Sequence, residues 1–252
     1  MKASIIIPTF DRPGLAEKLK LQIEKFHGKE YEIIIIKPTG NTSITKNQGI
    51  QKSRGEVVIF FDDDVELTKQ TIPAHLAAYQ NPETVGVAGR VINDGEKIPN
   101  ATKVETGRTN LLGTKFDYKF WSTKKQEVDF VYGCNMSFRK NALLEVKGFD
   151  ESFPKIFEEI DITKRIKKLG KIHFEPQALV YHHKASSGGI RAEEKKEKQK
   201  LIFENYGRYL AKNIFFPLSI ISLFLRLRTA LGISSKIARD FVDHLVLELV
   251  KQ

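Results

Sequence analysis

Asp62-Asp63-Asp64 stands directly behind the apolar run Val57-Val58-Ile59-Phe60-Phe61. Such a run reads as a buried strand, and three carboxylates crowded at its end repel one another unless a cation or a ligand neutralises them. The plain alternative is an Asp-rich turn or helix cap. Two further groups could work with the triplet. Glu158, Glu159 and Asp161 open a segment of helical pattern, where acids can accept protons or simply favour a helix N-terminus through its dipole. His182 and His183 end an apolar segment and precede Lys184-Ala185-Ser186-Ser187-Gly188-Gly189, a setting that suggests a functional loop as well as packing.

These groups need a scaffold, and the first hundred residues alternate strand and helix signals as a parallel sheet with crossover helices requires. Ser4 to Pro8 is a first strand. Asp11 can cap a helix that Pro13 starts, with Leu15, Leu19, Ile23 and Phe26 along one face. Tyr31 to Ile36 is a second strand, Lys37 to Thr45 a loop, and Lys46 to Arg54 a helix that Gly55 ends. A helix over Thr68 to Tyr79 and a strand over Val85 to Val91 follow. The stretch from Asn93 to Val128 is irregular, as binding loops often are. Order returns with Asp129 to Tyr132, helices over Asn141 to Val146 and Glu158 to Leu169, and short strands over Ile172 to Phe174 and Ala178 to Tyr181. The pattern predicts an α/β fold with a mostly parallel sheet flanked by helices.

A chain of 252 residues suffices for one large α/β domain with a helical appendage. Its net charge of +10 points to anionic partners, which composition alone leaves open among nucleic acid, phosphorylated small molecules and an anionic membrane surface. The single cysteine, Cys134, excludes an intramolecular disulfide and a cysteine-rich zinc site, and fits a reducing compartment. Met1 to Ser4 passes straight into the first strand without a signal-peptide core, so a cytoplasmic location is expected. From Ala192 to Lys200 the composition turns to Glu, Lys and Gln. Residues 1–190 are therefore read as one domain and 191–252 as a C-terminal helical extension. Within the extension, Ile214 to Leu225 is mostly apolar between Lys212 and Arg226 with Arg228, too short to span a bilayer as a helix. It could rest on the cytoplasmic membrane face as an interfacial helix or pack in a core, and the amphipathic end with Phe241, Leu245 and Leu249 could meet the domain, a membrane or another subunit.

Four segments taken in order carry a resemblance. Ile5-Ile6-Ile7-Pro8-Thr9-Phe10-Asp11-Arg12, Lys46-Asn47-Gln48-Gly49-Ile50 leading to Arg54-Gly55-Glu56, Asp62-Asp63-Asp64, and Glu158-Glu159-Ile160-Asp161 resemble the family 2 nucleotide-sugar glycosyltransferases of the Rossmann-like GT-A fold, over roughly residues 3 to 185. The resemblance implies a metal-dependent, inverting transfer of a sugar from a nucleotide donor to a hydroxyl of a glycan or lipid-linked acceptor. It places Pro8, Thr9, Asp11 and Arg12 near the nucleotide and Lys46 where relatives often carry an arginine for the diphosphate. Asp62 and Asp64 match the DxD motif. Asp64 is implied as direct ligand of Mn²⁺ or Mg²⁺, Asp62 as a ribose or metal-water contact and Asp63 as a neighbour in the nucleotide site. His182 is the implied additional ligand, Gly133 and Asn135 lie under the donor sugar, and Glu159 is the implied general base ahead of Glu158 and Asp161. Two departures stand out: Glu replaces the usual Asp at 159, and Lys37 follows the second strand where relatives carry an acid for the base. Cys134 and Trp121 read as packing residues.

Rival readings are an Asp-x-Asp phosphohydrolase and a non-enzymatic basic module on nucleic acid or membrane. Glu66 stands where the phosphohydrolase pattern has Thr, and no nucleic-acid motif is visible, so no nucleic-acid partner is expected. A homo-oligomer is compatible with the extension.

Overall fold

The computed structural model describes residues 2–9, 12–37, 39–185 and 195–214, together with 219 and 222. Asp11, the Ser186 to Gly189 loop and the amphipathic C-terminal end lie outside the described residues.

The predicted alternation is realised as β1 (Ala3–Pro8), α1 (Pro13–His27), β2 (Glu32–Ile36), α2 (Thr42–Lys52), β3 (Val57–Phe61), β4 (Val65–Leu67), α3 (Thr71–Ala78) and β5 (Thr84–Asn93). Then come the short strands β6 (Arg108–Thr109), β7 (Phe116–Asp117) and β8 (Gln126–Glu127), followed by β9 (Asn135–Arg139), α4 (Lys140–Glu145), α5 (Glu158–Ile166), β10 (Lys171–His182) and α6 (Lys195–Asn213). The main sheet runs β2-β1-β3-β9-β5-β10-β4, with β8 also pairing β10. Its pairings give β2, β1, β3, β5 and β10 one direction and β9 and β4 the other. This is the mostly parallel α/β sheet the sequence predicts.

Hydrophobicity decides which strands are central. All five residues of β3 are fully buried, as a strand covered on both faces requires. In α1 the buried stripe is Ala16, Leu19 and Ile23. Gly55 lets the chain enter β3 beside β1, since a β-carbon there would lie 2.5 Å from the Ser4 amide nitrogen.

The structure departs from the sequence reading at three places. Helix α2 begins at Thr42, a turn early, because the Asn41 side chain accepts from the Ile44 amide at 3.1 Å and caps it. Residues 129–132 form no strand, and the ladder starts instead at Asn135. The two short strands expected near 172 and 180 are one strand, β10, whose register against β5 shifts between Glu175 and Leu179 around Pro176, which has no amide hydrogen to donate. Helix α6 buries Phe203, Tyr206, Tyr209 and Leu210 in the same core as the sheet.

Candidate active site

The register of β1 on β3 brings Pro8 and Asp62 to one edge of the sheet, and β10 delivers His182 to the same edge. A cleft of about 280 Å³ opens there, where a crevice at the carboxyl ends of parallel strands is expected. Pro8, Arg12, Lys46, Asp62, Gly133, Glu158, Glu159 and His182, all expected site residues, line it; Thr42, Tyr132, Cys134, Lys155 and Ile156 complete the wall.

Asp62, Asp64 and His182 each aim one ligand atom at a common point, these atoms lying within 4.8 Å of one another. Two carboxylates and an imidazole suit a divalent ion such as Mn²⁺. The histidine's surroundings test the fit. Asn93 donates through Nδ2 to Glu96 Oε2 at 2.7 Å, which turns Asn93 Oδ1 towards His182 Nδ1, 3.0 Å away. Tyr132 donates to the same oxygen at 3.3 Å. An amide oxygen only accepts, so Nδ1 of His182 carries a hydrogen, and Nε2 is the ring atom turned towards Asp64 Oδ1, 3.3 Å away. Nε2 is buried with no hydrogen-bond partner among the described residues. That is the orientation a metal-bound histidine needs, so the residues fit a metal.

The rest of the aspartate triplet serves the fold. Asp63 accepts from Thr9 Oγ1 at 2.7 Å and meets Arg12 Nη2 at 2.5 Å, tying the end of β1 to the end of β3. Thr9 and Asp63, expected at the nucleotide, thus face each other and not the cleft. Arg12 also reaches Asp64 Oδ2 at 3.4 Å, and Ala185 donates its amide to that oxygen at 2.8 Å, which holds Asp64 in place.

On the far wall, α5 starts from two residues in left-handed backbone, Ile156 at φ 103° and Phe157 at φ 71°. A β-branched residue there is strained, and Asn205 of α6 donates to the Ile156 carbonyl at 3.1 Å. The turn separates the three acids. Glu158 is buried, accepting from Lys46 Nζ at 3.1 Å and from the Ile156 amide at 2.8 Å. Glu159 lines the cleft, and burial together with the neighbouring Glu158 raises its pKa from the usual carboxylate range to about 8 against the opposing pull of Lys46. Asp161 points elsewhere: it pairs with Arg165 Nη2 at 2.7 Å and Nε at 2.8 Å and accepts from Asn213 at 3.1 Å. It is removed from the catalytic set because both its oxygens are used in joining α5 to its neighbours.

Asn135 also requires correction. Its amide donates to the carbonyls of Arg90 and Ala178 at 2.9 and 2.8 Å, and its oxygen meets His75 Nε2 at 2.8 Å. Fully buried, it braces β9 against β5 and β10 and cannot reach a sugar. Gly133 lines the cleft, where a β-carbon on it would stand 3.8 Å from Lys46 Nζ and 4.0 Å from Glu159. Cys134 and Trp121 are buried, as read. Sequence reasoning missed Asn93, Glu96 and Tyr132; the Asn-Asp-Gly turn at 93–95 was their only signal, and nothing in it pointed to a histidine 89 positions on.

The sequence profile of Glycosyl transferase family 2 matches residues 21–146, half of the chain, and the chain belongs to this family of glycosyltransferases. Among similar proteins, an N-acetylglucosaminyl-diphospho-decaprenol L-rhamnosyltransferase of Mycobacterium tuberculosis is 29% identical over 52% of this chain and 48% of its own length. A GalNAc(5)-diNAcBac-PP-undecaprenol beta-1,3-glucosyltransferase of Campylobacter jejuni is 29% identical over 60% and 56%. The matches therefore span about half the length of these relatives. Among solved structures, S. aureus TarS in complex with UDP-GlcNAc superposes with a TM-score of 0.53 at 16% identity, covering 99% of this chain and 90% of that one, which is a likeness of fold. Family membership sets aside the phosphohydrolase and the non-enzymatic readings.

Proposed function

We propose that this enzyme transfers a sugar from a nucleotide donor to a hydroxyl of a lipid-linked glycan by a single inverting displacement that depends on Mn²⁺ or Mg²⁺. The observation that carries the reading is that Asp62 and His182 line one cleft with Lys46 and Glu159, and that Asp64 brings a ligand atom within 4.8 Å of theirs from behind the cleft wall. Asp64 and His182 would hold the ion with Asp62 beside it, and a bound divalent ion supplies charge for the departing diphosphate. Lys46, buried and paired with Glu158, offers a second cation to the phosphates. Pro8 and Arg12 border the nucleotide end, and Gly133 leaves room for the donor sugar. Glu159 takes the proton of the acceptor hydroxyl as its oxygen attacks the anomeric carbon; its raised pKa suits this task near neutral to alkaline pH. The lipid-linked acceptor is supported by the polyprenol-linked names of the relatives and by the basic surface of the chain. Among the described residues no helix is long and apolar enough to cross a membrane.

Transfer from a panel of nucleotide sugars to short polyprenyl-diphosphate glycans, with Mn²⁺ or with EDTA, tests the reading. Metal-dependent product that Glu159→Gln abolishes is expected; EDTA-resistant transfer would remove the metal from the account.

A further inference from the structure

The region that the sequence leaves irregular builds a surface separate from the cleft. Strands β6 and β7 form a two-stranded hairpin, and its tip carries Leu111, 78% exposed and the most exposed large apolar side chain among the described residues. Beside the tip, Lys164 in the last turn of α5 and Lys167 and Lys168 just beyond it line a cavity of about 500 Å³ together with the hairpin. One carboxylate, Asp129, serves this wall, and it is engaged by Lys167 at 2.5 Å and by Arg108 at 3.8 Å. Lys164 and Lys168 have no acidic partner in salt-bridge range among the described residues. Burial, and after it Lys167 and Lys168, lower the pKa of Lys164 against the pull of Asp129. An apolar tip beside two lysines without acidic partners is the pattern of a surface that enters a headgroup layer.

Helix α6 meets the hairpin, and Ser222 donates to the Leu112 carbonyl at its tip at 2.6 Å. A β-carbon on Gly113 of this hairpin would stand 2.9 Å from Tyr209 and 3.1 Å from Ile214, so α6 ends against the hairpin. The apolar stretch 214–225, flanked by Lys212, Arg226 and Arg228, begins there. The hairpin also reaches the chemistry, because Glu159 and Glu158 both act electrostatically on Tyr118, next to β7. Along α5, Glu159 and the lysines are separated by only about 10 Å at 1.5 Å per residue.

We propose that the tip of the β6–β7 hairpin and the lysine-bearing end of α5 form a docking face for an anionic phospholipid bilayer. Phospholipid phosphates would neutralise Lys164 and Lys168 while Leu111 enters the apolar boundary. The face thereby brings Glu159 to the membrane surface, a consequence that rests on the proposed lipid-linked acceptor; the docking itself does not.

Co-sedimentation of the full chain with vesicles tests the inference. Binding to phosphatidylglycerol vesicles, weakened by salt and absent with phosphatidylcholine, is expected. The Lys164→Gln/Lys168→Gln variant should lose about fivefold per charge, roughly 25-fold in all, and Leu111→Asp should weaken binding independently. Nucleotide-sugar binding without vesicles should stay unchanged in these variants, so failure here is distinguishable from failure of the catalytic reading. Parental vesicle affinity in both variants would overturn the inference, as would loss of binding only when residues 214–225 are replaced. Equal binding to neutral vesicles, or salt-sensitive binding to an oligonucleotide with none to vesicles, would also overturn it.

Discussion

Asn93→Ala should weaken Mn²⁺ binding without touching a metal ligand. In the parent, Glu96 fixes the Asn93 amide, and Asn93 Oδ1 fixes the His182 hydrogen on Nδ1 at 3.0 Å. Alanine leaves the buried ring with no acceptor at Nδ1, so the hydrogen can move to Nε2, the atom that would donate its lone pair to the proposed metal. Loss of such an outer partner commonly costs 10- to 100-fold in metal affinity, or about 1.4 to 2.8 kcal/mol. The lost neutral hydrogen bond should lower metal-free stability by only about 1 kcal/mol. Glu96→Gln, which still offers an acceptor to the Asn93 amide, should bind Mn²⁺ nearly as the parent does, whereas Glu96→Ala should fall between. Calorimetric titration of Mn²⁺ in the presence of a nucleoside diphosphate reads the affinity, and thermal unfolding in EDTA reads the stability. If Asn93→Ala binds Mn²⁺ within twofold of the parent while melting earlier, the orienting role is wrong and Asn93 is a packing residue.

Three other outcomes follow from the same geometry. The proposed base must be deprotonated and its pKa is raised to about 8, so kcat/KM should climb as pH rises through that value, and Glu159→Gln should remove both the limb and the activity. Asp161→Asn breaks a buried pair with Arg165 and should cost about 3 kcal/mol in denaturant unfolding, yet leave nucleotide binding intact below the melting range. Gly133→Val should raise the donor KM by an order of magnitude or more by filling the gap between Lys46 and Glu159, with little change in melting temperature.

Where the chemistry is local, it was legible in the sequence. An apolar run ending in aspartates had to be a buried strand delivering charge to the sheet edge, and β3 does so. The acids at 158–161 were legible as a helix start, but not their division of labour. Glu158, Glu159 and Asp161 differ through where two left-handed residues and the cations Lys46 and Arg165 set them; Lys46 stands 112 positions from Glu158, whereas Arg165 stands at i+4 from Asp161, a helical spacing that the sequence does carry. Asn135 looked like a hydroxyl-binding amide because a short polar residue after Gly133 is ambiguous, and only the antiparallel insertion of β9 between β3 and β5 buries it. Helix α2 was cut short because Thr-Ser-Ile-Thr has weak helix preference, while a single cap from Asn41 was enough to start it.

The central claim, a metal-bridged nucleotide-sugar site at Asp64, is tested most directly by titrating a panel of nucleotide sugars into the full chain and into Asp64→Asn, with Mn²⁺ and with EDTA. The account predicts that at least one nucleotide sugar binds the parent with Mn²⁺, and that EDTA or Asp64→Asn reduces this binding by at least about tenfold. Equal binding by the parent in EDTA and by Asp64→Asn with Mn²⁺ would contradict it.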